Sequence, residues 1–470
     1  MKSSRLESNL SADVTKAQMA SGGAQDLFYS RSKDSQRLTI VKGKGIYLWD
    51  DQGNEYIDGS SGPVTCNLGH SHPNVLKAMQ EQAETLAFSF PSSGRNLPNI
   101  ELAKKITDLA GEGFERALFV SGGSEAVDMA LKFCRQYRYA TGEKQRNKLI
   151  SCQPSYHGMT LGALAVSGDP VFADVFGDMI SMAHKIPAMM TYMHAEQGDE
   201  NAYALRCAKA LEDKIVELGA SSVLAFIIEP VGGSSSGAIA PTEAYFNEIR
   251  RICDQYGVFL IYDEVMCGAG RTGEFLTSHL WPDARPDISV VAKGLGAGYA
   301  PLGVMLAPAA LVDELAELTG FNYAHTYNAS PLSCAVGNAV LDEIIQNDLL
   351  ENTRVLGDYL RKELIALQER STIIGDVRGR GLLLAIELVA SKSPRKPLPL
   401  EVEAIERFKA LSREIGLLIY GRRSNGGIYG EPLLIAPPLN VTKAEIDLIV
   451  ERLGRAVEAL EAELSDSGII

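Results

Sequence analysis

Between residues 117 and 292 the chain repeats a short, near-continuous apolar run followed by a helical stretch, and this repetition limits the fold more than any single residue does. The runs are Ala117–Val120, Lys148–Cys152, Val223–Ile228, Val258–Tyr262 and Ile288–Ala292. A strand that is apolar on consecutive residues has no side to turn towards water, so both of its faces must be covered. A helix is expected from about Ser124 and another near Thr242–Tyr256, with Gly257 placed to end the second in a left-handed turn. Strands alternating with helices mean βαβ units and a parallel sheet, which is an α/β fold.

At 470 residues there is room for a large α/β domain and a smaller companion. The first thirty or so residues read as a loose arm, and residues 38–58 as a β-meander turning at Asp50-Asp51-Gln52-Gly53. From about Pro331 the pattern changes to long helices around a few strands. Helices are expected at 331–347, 349–369 and 400–415, and strands near Gly375–Val377 and Leu382–Leu388. Lys392–Pro399 reads as a surface loop. A last helix, from Thr442 to about Leu464, carries apolar residues at 446, 449, 450, 453, 457 and 460. The expected division is therefore 1–75 (arm and meander, part of the small domain), 76–330 (large domain) and 331–470 (the rest of the small domain).

A net charge of −14, spread along the chain, argues against nucleic acid or an anionic membrane as partner. Seven single cysteines without a CxxC imply neither a disulfide framework nor a zinc ribbon, and no metal site is expected. A reducing, cytoplasmic setting fits. Met1–Lys16 is polar and lacks the apolar core of a signal peptide, and no apolar run approaches the roughly 20 residues that span a bilayer.

Three chemically active groups stand at carboxyl ends of expected strands, where open α/β sheets bind ligands. Glu229 follows Val223–Ile228, Asp263 follows Val258–Tyr262, and Lys293 follows Ile288–Ala292 and opens the turn Gly294-Leu295-Gly296-Ala297-Gly298. A lysine there can have its amine desolvated and aimed into a crevice, which favours Schiff-base chemistry. An acid placed like Asp263 must be buried or paired, and can hold a proton on a heteroaromatic nitrogen. Ser121-Gly122-Gly123-Ser124 lies between a strand and a helix, where backbone N–H groups and the helix dipole converge on an anion. Tyr156-His157-Gly158 offers a flat ring with backbone room beside it. Gly268-Ala269-Gly270-Arg271-Thr272-Gly273 spells GxGxxG, but a dinucleotide fingerprint must open a helix and Glu274-Phe275-Leu276-Thr277 does not, so it is rejected.

A Schiff-base lysine, a pyridinium-pairing acid, a phosphate cradle and a stacking ring together describe pyridoxal 5′-phosphate (PLP). With Trp49–Asp58, Asn67–Pro73, Phe119–Ala126, Asp263–Val265, Gly270–Gly273 and Ala292–Gly294, the sequence resembles the class III aminotransferases of PLP fold type I, the ω-aminotransferases, from about residue 38 to 460. The resemblance implies a large domain with a mostly parallel seven-stranded sheet flanked by helices, and a small α+β domain built from both ends of the chain. It makes Lys293 the Schiff-base lysine and proton carrier, and Asp263 the partner of the pyridine nitrogen. Tyr156 and Val265 would take the two ring faces, Gly122, Gly123 and Ser124 the phosphate, and His157 a further cofactor contact. Thr326 of a neighbouring subunit would also bind the phosphate, giving a homodimer with shared active sites, with tetramers left open. Val64, Phe88, Phe90, Tyr156, Arg422 and Arg423 are the implied substrate contacts.

Two departures matter. Val127 stands where many members carry Asn. Leu434 stands where members that use 2-oxoglutarate often carry an arginine opposite the carboxylate matched by Glu229, and Arg422-Arg423 sit about where pyruvate-using relatives hold a mobile one. Arg378 matches a motif whose role is more often structural. The implied activity is a ping-pong transfer of an amino group from a primary amine or ω-amino acid to a keto acid, pyruvate favoured over 2-oxoglutarate, with pyridoxamine 5′-phosphate between the halves. A decarboxylase, racemase or aminomutase on the same fold stands as the alternative, and a non-catalytic PLP-fold binding protein as a more distant one.

Overall fold

The computed structural model describes residues 38–194, 200–423 and 427–470. The expected N-terminal arm and Ser424–Gly426 of the glycine-rich stretch lie outside the described residues. Seven strands form the central sheet: β1 (Arg116–Val120), β2 (Lys148–Gln153), β3 (His184–Pro187), β4 (Val223–Ile228), β5 (Phe259–Asp263), β6 (Ile288–Val291) and β7 (Gly303–Ala307). Their order is β1-β7-β6-β5-β4-β2-β3. From β6 to β3 every pair is parallel; β7 runs antiparallel to both β6 and β1. Every residue of β4, β5, β6 and β7 is buried.

Alternate residues of β4 serve opposite faces, as the two-residue period of a strand requires. Ala225 and Ile227 pack in one core cluster with Ala126, Met129 and Phe133 of the helix Gly123–Ala140. Phe226 and Ile228 pack in another with Leu211, Tyr245 and Ile249 of the helices Glu200–Leu218 and Glu243–Tyr256. Val127 is buried in the first cluster, so an apolar residue suits that position. Gly257 ends its helix at φ 62°, as expected. Two strands of this sheet were not foreseen. β3 reads His-Lys-Ile-Pro, too short and polar to register as an apolar run, and β7 starts at a glycine inside a Gly-rich stretch. That glycine is needed: a Cβ on Gly303 would stand 2.6 Å from the Gly122 carbonyl oxygen, so β7 and the cradle could not lie together otherwise.

The remainder is built from both ends of the chain. Strands Ile40–Lys44, Tyr47–Asp50 and Glu55–Asp58 form the meander, and Leu417–Leu418 adds to it in parallel. Strands Ile374–Arg380, Leu383–Leu388, Pro432–Ile435 and Tyr420–Gly421 make an antiparallel sheet. The helix Leu349–Arg370 packs with it, as does Lys443–Asp466, which starts with Thr442 and Glu445 bonding each other's backbone N–H and buries Ile446, Ile449, Leu453, Val457 and Leu460. Two expectations are corrected here. Lys392–Pro399 is not all loop, since Ser391–Lys392 and Arg395–Lys396 pair as a small hairpin. The helix expected over 400–415 is split: a 3-10 turn, Leu400–Val402, precedes Ala404–Glu414 because Glu403 takes φ 49°.

The GxGxxG stretch opens no helix. Its Arg271 is fully buried and donates to the carbonyls of Leu382 and Pro437 and, at 2.5 Å, to Asn67 Oδ1, tying the turn to both ends of the chain. All seven cysteines are free, and among the described residues no helix is long and apolar enough to cross a membrane.

Candidate active site

Register brings the three strand ends together. Ile228 lies opposite Tyr262 and Asp263 opposite Val290, so Glu229, Asp263 and Lys293 share one rim of the sheet at β4, β5 and β6. Lys293 is half-buried and sits at φ 42°, an uncommon setting for a residue with a side chain. Burial pushes its amine down to about 8 from the ordinary 10.5, and Asp263 and Glu229 oppose this only in part. Asp263 is buried, and its Oδ2 lies 2.7 Å from His157 Nδ1 while its Oδ1 accepts from the Val265 N–H at 3.0 Å. A carboxylate has about four acceptor positions, so one more donor can still be taken. His157, expected as a cofactor contact, is here the residue that orients Asp263. The backbone N–H of His157 donates to Ser167 Oγ at 2.9 Å, and Ser167 is fully buried. Ser167 escaped the sequence reading because nothing about a lone serine ten residues on marks it.

Glu229 accepts from the N–H groups of Gly233 at 2.8 Å and Tyr156 at 3.2 Å. Burial raises its carboxyl above the usual range, with His157 opposing. Among the described residues it has no ion-pair partner, and Leu434, opposite Ala385 and Tyr420, is buried in the apolar core.

The cradle lies where β1 meets the helix Gly123–Ala140. Gly123 is held against Val265, whose Cγ1 would stand 2.8 Å from a Cβ on that glycine. Ser121 N–H is taken by the Glu125 carboxylate at 2.8 Å, and Ser124 Oγ accepts from Met159 N–H at 3.1 Å. The first N–H groups of an 18-residue helix thus open onto the side where Val265 and Asp263 stand. These residues suit PLP. The amine is desolvated, the carboxylate is buried with acceptor capacity to spare, and the cradle glycine carries nothing that would fill it. Among the described residues, His157 Nε2 is buried without a partner.

On the substrate side the two neighbouring arginines part company. The Arg422 guanidinium carbon lies 5.1 Å from the Tyr156 ring centroid and 5.2 Å from that of Phe172, and Nη2 pairs with Asp169. Arg423 is bound to Glu431 at 3.0 Å, Glu403 at 3.3 Å and the Leu400 carbonyl at 2.6 Å, a set of structural contacts that stands against its expected substrate role. Arg378 is likewise structural, bonded to Glu387 at 2.7 Å, Asp376 at 3.1 Å and two carbonyls. Val64 is 1% exposed and packs in a core cluster with Val231 and Ala436, so in the single chain it offers no surface to a substrate. Thr326, Phe88 and Phe90 are exposed, and the Phe88 ring meets Tyr327 edge-on at 6.2 Å. A cavity of about 820 Å³ lies elsewhere, lined by Arg354, Arg361, Arg380 and Thr272 among others, and touches none of the rim residues.

Residues 28–457 match the family model described as Aminotransferase class-III. The chain is 33% identical over 445 residues to a diaminobutyrate–2-oxoglutarate transaminase of Halomonas elongata, covering 93% of each chain. It is 31% identical over 434 residues to a putrescine–pyruvate aminotransferase of Pseudomonas aeruginosa, covering 90% of this chain and 91% of that one. A solved PLP-bound amine transaminase from an uncultivated Pseudomonas species superposes with a TM-score of 0.86 at 33% identity, over 94% of this chain and all of the other. The strand-end lysine, the acid beside it and the glycine cradle thus belong to a transaminase that uses PLP, and the chain is a member of the class III aminotransferase family.

Proposed function

We propose that this enzyme moves an amino group from a primary amine, or an ω-amino acid, to pyruvate in preference to 2-oxoglutarate. The observation that carries the preference is Leu434: a buried leucine on the strand Pro432–Ile435 supplies no guanidinium to pair with Glu229 or to clamp a second carboxylate. The relatives' names point both ways, one to pyruvate and one to 2-oxoglutarate, so the reading rests on this chain's own residues. Arg422, beside Tyr156, is the cation we place on the acceptor's single carboxylate.

Each rim residue then has a task. Bound PLP supplies a ring that takes up the electron pair when the donor's C–H bond breaks. Asp263, oriented by His157, keeps a proton on the ring nitrogen. Lys293, as a neutral amine, takes the proton from the donor carbon and returns it, and an amine near 8 is well matched to that work in mildly alkaline solution. Tyr156 and Val265 would take the faces of the bound ring, and Gly122, Gly123 and Ser124 would hold its phosphate. We place Thr326, Phe88 and Phe90 at the contact with a second copy of the chain, completing the site, and the enzyme in the cytoplasm. Steady-state kinetics with a saturating amine donor tests the preference. A higher kcat/KM for pyruvate is expected; equal or faster turnover with 2-oxoglutarate overturns it.

A further inference from the structure

The two arginines beside one another are held very differently. Arg423 is anchored by Glu431, Glu403 and the Leu400 carbonyl among others, two of these being carboxylates. Among the described residues Arg422 has one ion pair, through Nη2 to Asp169, and its guanidinium otherwise rests between the rings of Tyr156 and Phe172. Asp169 is 7% exposed, so its charge is worth more here than at the surface. It also has a bond of its own: Oδ1 accepts from the Val171 N–H at 3.2 Å, capping the short helix Pro170–Phe176. Asp169 is therefore not left bare if the guanidinium turns away from it.

We propose that Asp169 is an internal carboxylate that competes with the oxo-acid substrate for Arg422, and so sets the balance between acid acceptors and uncharged carbonyl compounds. The inference rests on the reading above that Arg422 meets the acceptor's carboxylate. Paired with Asp169, Arg422 is neutral as a unit, and an arriving carboxylate meets one negative charge for each positive one. The acid binds only as Arg422 exchanges Asp169 for it or shares its free N–H groups with both. The ring sandwich keeps the guanidinium beside Tyr156 during the exchange. An aldehyde without a carboxylate asks nothing of Arg422 and does not feel the competition.

Asp169→Asn removes the charge and keeps a side chain that caps a helix well. For this variant the KM for pyruvate should fall about tenfold, equivalent to about 1.4 kcal/mol, relative to the KM for propanal, with the effect in KM and not in kcat. Asp169→Ser, another capping residue, should shift the ratio the same way, which guards against a folding defect peculiar to one variant. In an Arg422→Gln background the Asp169→Asn shift should vanish. A KM change equal for both acceptors, or a rise specific to pyruvate, overturns the competition. If Arg422→Gln alone leaves the pyruvate-to-propanal ratio unchanged, the failure lies in placing Arg422 on the acceptor. If that ratio moves with Arg422→Gln but not with Asp169→Asn, only the competition falls.

Discussion

Lys293 combines two properties that rarely coincide in a lysine, a desolvated amine and two carboxylates close enough to be felt. Lys293→Ala should abolish turnover, and near-normal transaminase rates in that variant would refute its role. Asp263→Asn should retain PLP but lower kcat by orders of magnitude, because an amide bonded to His157 no longer stabilises a proton on the ring nitrogen; pre-steady-state rates of amine consumption read this directly. The lysine also predicts a pH effect on the cofactor-free protein. Its folded value, about 8, lies below the ordinary 10.5, so the folded state binds fewer protons than the unfolded state between these limits. The cost of holding a charged amine in the site is fully present below pH 8 and is relieved as the pH rises towards 10.5. Cofactor-free Lys293→Met should accordingly melt higher than the native chain at pH 7, with the gap narrowing above pH 8; a gap independent of pH would remove this explanation.

Strand and helix ends place these residues where the side chains alone could not. β4, β5 and β6 are buried along their whole length, so their register cannot slip without exposing one face or burying a gap, and their last residues stay level. The Gly123–Ala140 helix starts tight against Val265, and no side chain fits between them. Gly123→Ala is predicted to weaken PLP binding, measured by titration of the cofactor-free enzyme, and Val265→Ala in the same chain to recover part of the loss. No recovery would mean that the alanine acts on the helix backbone and not through Val265. The same reasoning separates the cradle from the GxGxxG stretch, where the turn after β5 holds a buried arginine and no helix start.

At the scale of the whole molecule, an exposed aromatic surface around Phe88, Phe90 and Tyr327 adjoins the exposed Thr326. If Thr326 serves the neighbouring subunit's cradle, mixing Lys293→Ala with Thr326→Asp chains should restore activity, since one site of each hybrid dimer then has both native residues; silence from the mixture would place Thr326 outside the partner's site. The apolar runs of β4, β5 and β6 and the residues that follow them were readable from the sequence because burial on both faces demands a continuous apolar run, and because a lysine or carboxylate ending such a run is conspicuous. β3 and β7 were not, being made of residues that become strands only when a neighbouring strand supplies their hydrogen bonds. Nor could linear order tell Arg422 from Arg423, or link His157 to Asp263 across 106 positions. Identical side chains on adjacent residues differ only in what the fold brings to meet them: Glu431 and Glu403 for one, Asp169 and two aromatic rings for the other. The chain's own order determined the elements and the chemical groups at their ends; tertiary packing decided which groups face one another, because charge, desolvation and hydrogen bonding act over a few ångströms of space and not along the sequence.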